Sequence, residues 1–193
     1  MNNGTLSLVG SLLSFYDLRY VKRKGWLERD VPPDLAESVL GHSLRAARAA
    51  FLYTGDVVLT TMLTIHDWPE VKVGDITPKD EIPKDVKHQR ERAAMAELTQ
   101  PLPYGQRIMN LWLEYDAGET RRASLAQQFD KLDSAVMALY YESIGYKRAE
   151  EFYPWILGKL HDSRLVEIWL TLKDEYQPKQ NPHKHYFGLL KEV

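Results

Sequence analysis

At 193 residues, with 44% hydrophobic and 27% charged residues, the chain is long enough for one domain with a substantial core and has the balance of an ordinary globular protein. Its 25 basic and 27 acidic residues leave a formal net charge of −2, which gives no electrostatic case for duplex nucleic acid. The absence of cysteine excludes disulfides, zinc–thiolate sites and thiol nucleophiles, and no apolar run reaches the roughly eighteen residues of a membrane span.

The helical period dominates the chain. Val9, Leu12, Leu13, Tyr16 and Tyr20 fit the buried face of a first helix running from Leu6 to Tyr20. Gly25 breaks the helical pattern inside the cationic stretch Lys22-Arg23-Lys24-Gly25-Trp26, and a loop is expected up to Val31-Pro32-Pro33. A second helix, from about Leu35 to Tyr53, takes its start from Pro33-Asp34, buries Val39, Leu40, Leu44, Ala47 and Phe51, and carries His42 in its first turns. After Gly55-Asp56 a third helix leads from Val57 to His66-Asp67.

Residues 74–83 read as a loop, and a polar helix follows from Asp85 to about Leu98. Pro101 and Pro103 interrupt it, and Ile108, Leu111, Trp112 and Tyr115 mark a further amphipathic helix that ends at Ala117-Gly118. The longest helix is expected from Arg121 to Ser143, where Leu125, Phe129, Leu132, Val136 and Leu139 form one stripe with Asp130 at its edge. A buried Asp130 would need a cation or a metal as partner, whereas Asp133, one turn on, reads as a surface acid. Two shorter helices follow, around residues 150–160 and 165–176, then a Pro-rich linker and tail over residues 177–193. No strand, repeat or second domain is expected: the fold class is all-α, one domain over residues 1–176.

The stretch from Ile65 to Ile76 packs an imidazole and three carboxylates, Asp67, Glu70 and Asp75, behind an apolar helix. With His42 and Asp130 from two other helices, His66 and Asp67 supply two imidazoles and two carboxylates, a set suited to Mn, Co, Ni, Fe or Zn rather than copper or an iron–sulfur cluster. Such an ion polarises a phosphoryl oxygen and acidifies a water. Glu70, one turn from Asp67, is placed as a base or a proton donor, and Asp75 as a group that orients water or holds a second ion. Arg23 can neutralise a phosphate and Trp26 can pack on a sugar or base. A second His-Asp pair, His161-Asp162, lacks the following Glu and Gly-Asp and reads as a decoy at a helix boundary.

The order His42, His66-Asp67, Asp130 resembles that of the HD-domain metal-dependent phosphohydrolases, and the finer match is to their 5′-deoxynucleotidase branch. Arg23-Lys24-Gly25-Trp26, Glu37-Ser38-Val39 through His42-Ser43, His66-Asp67 through Ile76, Ile82-Pro83-Lys84 to Lys87-His88, residues 111–115 and Gln128-Phe129-Asp130-Lys131-Leu132 carry the match. The resemblance implies an all-α HD-domain helical bundle and a divalent metal (Mn, Co, Mg, Ni, Fe or Zn) at His42, His66, Asp67 and Asp130. It also implies catalytic or second-ion roles for Glu70 and Asp75, substrate contacts at Arg23 and Trp26, and a homodimer that hydrolyses nucleoside 5′-monophosphates. The cytoplasmic location expected comes instead from Met1-Asn2-Asn3-Gly4, which lacks the cationic start of a signal peptide. Gly41 departs from the pattern, which usually has an acid before the first histidine, and Ala93-Ala94 replaces part of an acidic run of which Glu91 survives.

Three other readings stand beside it. A deoxynucleoside triphosphohydrolase would need more cations near the metal, from Lys72, Lys79, Lys84 or Lys87. A diiron oxygenase would need further histidines between His66-Asp67 and Asp130, where only His88 lies. Against a nucleotide-sensing or scaffold protein without turnover stands the full set His42, His66, Asp67, Asp130 and Glu70.

Overall fold

The computed structural model describes residues 7–176. Its helices are α1 (Leu8–Asp17), α2 (Lys24–Leu27), α3 (Val39–Thr54), α4 (Val57–Ile65), α5 (Glu70–Val73), α6 (Lys84–Thr99), α7 (Gly105–Ala117), α8 (Arg121–Ser143), α9 (Tyr153–Leu157) and α10 (Ser163–Tyr176). Short 3₁₀ turns occupy Pro78–Asp80 and Lys147–Phe152. Among the described residues there is no strand, only one isolated antiparallel bridge between Lys22 and Ser38. The expected tail lies outside the described residues.

Three helices make the frame. α3, α4 and α8 pack against one another, and α7 closes against α4 and α8. α3 buries Val39, His42, Ser43, Ala46, Ala47 and Ala50, a face of small side chains that lets α4 and α8 approach closely. This is why Leu44 and Phe51, expected inside, are about half exposed: the alanines take the contact and the larger residues flank it. Of the expected α8 stripe, Phe129, Leu132 and Leu139 are buried, each worth about 1.5–3 kcal/mol of transfer free energy, while Leu125 and Val136 are half-buried and Ala135 and Ala138 fill the contact beside them.

The boundaries follow from capping. α3 starts at Val39 rather than Leu35, because Ser38 adopts extended backbone and its side chain accepts from the Gly41 N–H, while residues 32–36 form turns. Asp56 caps α4 by accepting from the Val58 and Leu59 N–H groups. The stretch expected as a loop around Gly25 contains α2 instead. Gly25 is there for space, since a Cβ would sit 3.0 Å from the Phe152 ring.

α1 departs most from expectation. Its buried residues are Ser11 and Ser14, while Leu8, Val9, Leu12, Leu13 and Tyr16 are exposed, and so is Tyr20 beyond its end. The helix is held from beneath by Ser14, whose hydroxyl accepts from the Trp68 indole N–H at 3.1 Å, and by Phe15, edge-on to Trp68 at 5.9 Å. No helix among the described residues is long and apolar enough to cross a membrane.

Candidate metal centre

The ends of α3 and α4 and the middle of α8 bring His42, His66, Asp67 and Asp130 to one point. His42 Nε2 lies 3.0 Å from Asp130 Oδ1 and 3.8 Å from Asp67 Oδ2. His66 Nε2 lies 3.0 Å from Asp67 Oδ2 and 4.0 Å from Asp130 Oδ1. Both imidazoles are buried.

Each imidazole has its outer nitrogen engaged. His66 Nδ1 faces the Leu63 carbonyl at 2.7 Å, and His42 Nδ1 faces Asp133 Oδ2 at 2.8 Å. These acceptors favour a proton on Nδ1, so Nε2, turned inward, is the nitrogen each ring offers to a cation; on His42 a cation must first displace the proton that Asp130 favours there. Asp130 is built the same way. Its outer oxygen accepts from the Tyr115 hydroxyl at 3.0 Å and from Lys131 at 2.7 Å, and its inner oxygen faces the imidazoles. His42 Nε2, His66 Nε2 and Asp130 Oδ1 are buried and make no aligned hydrogen bond. His42, His66 and Asp67 bring one ligand atom each within 4.8 Å of one another, and Asp130 Oδ1 lies 3.0 and 4.0 Å from the two imidazoles, an arrangement of unpaired buried atoms that fits a divalent cation.

A second cluster, Glu37, His42 and Asp133, has the right residue types for an ion but already holds a cation. The Arg45 guanidinium bridges Glu37 and Asp133, donating to Asp133 at 3.1 and 2.9 Å. Asp133 is thus buried, not the surface acid expected. Its spacing from Asp130, one helical turn, was the available signal: both lie on the face that meets His42. Asp133 also answers the Gly41 departure, since it supports the outer nitrogen of His42 without any acid at position 41.

Arg23 reaches the cluster from the segment before α2, which the Lys22–Ser38 bridge fixes against the start of α3. Its guanidinium lies 3.2 Å from Asp67 Oδ2 and 3.5 Å from the Ser134 hydroxyl. Burial opposes its charge, but Asp75, Asp67, Glu70 and Asp130 outweigh that and hold it firmly protonated. Asp75 follows Gly74, whose φ of +76° and ψ of 169° suit only glycine, and its carboxylate accepts from the Lys24 N–H at 2.6 Å.

Glu70 is buried and its Oε2 has no hydrogen-bond partner. Burial, then the charges of Asp67 and Asp75, push its carboxyl well above the ordinary range against the pull of Arg23 and Lys87. Asp67 moves the other way: burial would raise it, but His66, Arg23 and His42 hold it low.

Trp26 is a correction. It is 2% exposed, tilted against Tyr141 at 4.9 Å and Phe152 at 4.6 Å, and donates to Glu37 at 2.7 Å. Its ring is core and presents no surface to a ligand. His88 pairs with Asp116 on an exposed face and stays out of the centre. At His161-Asp162 both backbone N–H groups donate to Gln128, at 2.6 and 2.7 Å, which makes that pair a helix boundary. Of the lysines named from sequence, Lys72 is paired with Glu97 at 2.5 Å, Lys79 with Glu28 at 3.9 Å, and Lys84 is exposed at the start of α6. Lys87 faces the acidic cluster: burial opposes its charge, but Glu91, Glu70, Asp67 and Asp75 outweigh that and hold its proton.

The family model for the HD domain matches residues 15–169. The chain belongs to the HD-domain family. Human 5′-deoxynucleotidase HDDC2 is 34% identical over 181 residues, covering 90% of this chain and 88% of its own. The 5′-deoxynucleotidase hdd1 of Schizosaccharomyces pombe is 30% identical, covering 86% and 88%. A solved structure described as a predicted metal-dependent phosphohydrolase from Magnetospirillum magnetotacticum MS-1 superposes with a TM-score of 0.65 at 27% identity, covering 87% of this chain and 92% of that one.

Two expectations follow for the centre of this HD domain. Asp133→Asn should lower metal affinity by about 10- to 100-fold, the usual cost of removing the group that orients a ligating histidine. Titration with Mn²⁺ reads it, and an unchanged affinity would show that Asp133 does not set the His42 ring. The second concerns pH. Burial and Arg23 lower the His42 pKa, but Asp130 and Asp133 outweigh them and raise it to about 9. In the metal-free chain this raised pKa contributes stability that is complete below the unfolded value near 6.5 and is lost as pH rises through about 9. An ion must displace that proton, so metal addition at pH 7 should release about one proton from His42, and affinity should keep rising toward pH 9. Release of only about a quarter of a proton, as from an ordinary imidazole, would contradict it.

Proposed function

We propose that this chain is a divalent-metal-dependent 5′-deoxynucleotidase that converts deoxynucleoside 5′-monophosphates to deoxynucleoside and phosphate. The observation that carries the reading is the convergence of His42 Nε2, His66 Nε2 and Asp130 Oδ1, all buried without hydrogen-bond partners, on the Asp67 carboxylate beside the Arg23 guanidinium. The names of the curated relatives supply the substrate class.

In this reading His42, His66, Asp67 and Asp130 hold the ion, and Glu70 and Asp75 are the acids beside it that act in catalysis or hold a second ion. When bound there, the ion would polarise a phosphoryl oxygen and lower the pKa of a water. Arg23 binds the phosphate and offsets its charge, a role its buried and permanently protonated guanidinium suits. The water oxygen loses a proton and bonds to phosphorus, the bond from phosphorus to the 5′ oxygen breaks, that oxygen takes a proton from Glu70, and the proton lost by the water restores Glu70. Glu70 is the donor in this reading: burial, then the charges of Asp67 and Asp75, favour its protonated form, which suits an acid for such a leaving group. The reading includes a homodimer in the cytoplasm.

The test is phosphate release from mono- and triphosphates, ribo and deoxy, with Mn, Co, Mg, Ni, Fe and Zn supplied in turn. Inorganic phosphate from deoxymonophosphates is the expected result. Tripolyphosphate from triphosphates, with monophosphates untouched, would move the assignment to a triphosphohydrolase. Nucleotide binding without hydrolysis under every metal would make the chain a sensor.

A further inference from the structure

α1 is amphipathic in the wrong direction. Over its ten residues the buried members are two serines, Ser11 and Ser14, while Leu8, Val9, Leu12, Leu13 and Tyr16 are 44–61% exposed and Tyr20 just beyond is 67% exposed. The exposed residues fall in two rows at four-residue spacing, 8-12-16-20 and 9-13, so they form one continuous stripe. The helix is not loosely held. Ser14 and Phe15 fasten it to Trp68, directly after the His66-Asp67 pair, and Ser7 caps its start by accepting from the Gly10 N–H.

We infer that this stripe is the surface on which a second copy of the chain docks, which assigns a face to the homodimer of the proposed function and rests on that part of it. Three observations favour this occupant. At their exposed fractions the six side chains offer roughly 600 Å² of apolar surface, the upper end of what monomers carry and most of the ~800 Å² per partner of a standard interface. The stripe is uncharged, and a two-fold axis makes such a patch its own complement, as each row meets the other copy's. A helix that lies on a lipid surface carries Lys and Arg on its polar side, and α1 from Leu8 to Asp17 has neither. Arg19, stacked 4.5 Å over the Tyr20 ring, supplies a polar rim at one end.

The test uses the full chain. In sedimentation equilibrium the wild type should run near 45 kDa, twice the 22.4 kDa of one chain. The double variant Leu12→Glu, Leu13→Glu should run as a monomer with unchanged helical circular dichroism, its dimer weakened at least 100-fold. A milder probe does not depend on that variant's folding. The chain has no cysteine, so Tyr16→Cys introduces a single thiol. A short bismaleimide should link two Tyr16→Cys chains, and should not link chains bearing Lys159→Cys, an exposed position after α9. A monomeric wild type overturns the inference and leaves the chain's own residues 177–193, or another protein, as the cover. A dimer that neither dissociates in the double variant nor cross-links through position 16 overturns it as well. Phosphate release is read separately: a monomer that hydrolyses nucleotides refutes the interface alone, and a dimer without hydrolysis refutes the activity alone.

Discussion

His66→Ala and Asp67→Ala should each abolish tight metal binding and lower phosphate release by at least about 1,000-fold, since the charge stabilisation an ion supplies to phosphoryl transfer is worth several kcal/mol. The two substitutions remove different things. His66 offers one inward nitrogen, its ring fixed by the Leu63 carbonyl. Asp67 offers charge as well. Its loss leaves the Arg23 guanidinium, 3.2 Å away, free to swing toward Asp75 and Glu70, so substrate phosphate should bind more weakly even at saturating metal. Metal content by elemental analysis and the KM against kcat split therefore distinguish the two. His161→Ala is the matched control. It lies in the other His-Asp pair, its side chain is exposed, and the backbone contacts to Gln128 survive the substitution. It should keep full metal content and full rate. One metal per chain with wild-type turnover in His66→Ala would sink the site.

What the sequence disclosed about this centre, and what it hid, divides along physical lines. His42, His66, Asp67 and Asp130 were legible as candidate ligands because metal-binding side chains come in particular chemical types, and the helices that carry them announce themselves by period. α8 runs over the residues expected, Arg121–Ser143, because its stripe is unbroken and Thr120 caps it by accepting from the Ala123 N–H. The support around the ligands was not legible in the same way. Tyr115, Lys131 and Asp133 engage the outer atoms of Asp130 and His42 from positions whose residue types are equally at home on a surface. Trp26 misled for the opposite reason. An aromatic beside an arginine looks like a pocket wall, but α2 turns it under the chain, where Glu37 satisfies its N–H and two rings pack on it. α1 misled most. Period identifies a helix and its apolar face, yet it does not say whether that face meets the chain's own core.

Glu70→Gln separates catalysis from ligation most sharply. The expected result is retained metal, a rate lower by about 10²- to 10⁴-fold, and a fold more stable than wild type at neutral pH. The sign of the stability change follows from the environment. Burial and the neighbouring Asp67 and Asp75 raise the folded pKa of Glu70 well above 4.5. The stability this carboxyl contributes is complete below its unfolded pKa and is lost as pH rises from there through its folded value. In the metal-free protein at neutral pH the unfolded chain ionises Glu70 freely while the folded one resists. Glutamine keeps the shape and carries no such proton, so the loss disappears, and each kcal/mol recovered should raise Tm by roughly 2–4 °C for a chain of this size. A merely structural glutamate would give the reverse pattern: lower Tm with the rate following it. If metal content falls with the rate, Glu70 is a ligand, and the proton for the leaving 5′ oxygen must come from elsewhere. If rate falls, metal stays and Tm rises, the same burial that destabilises the empty centre is what keeps a proton on Glu70 for the reaction.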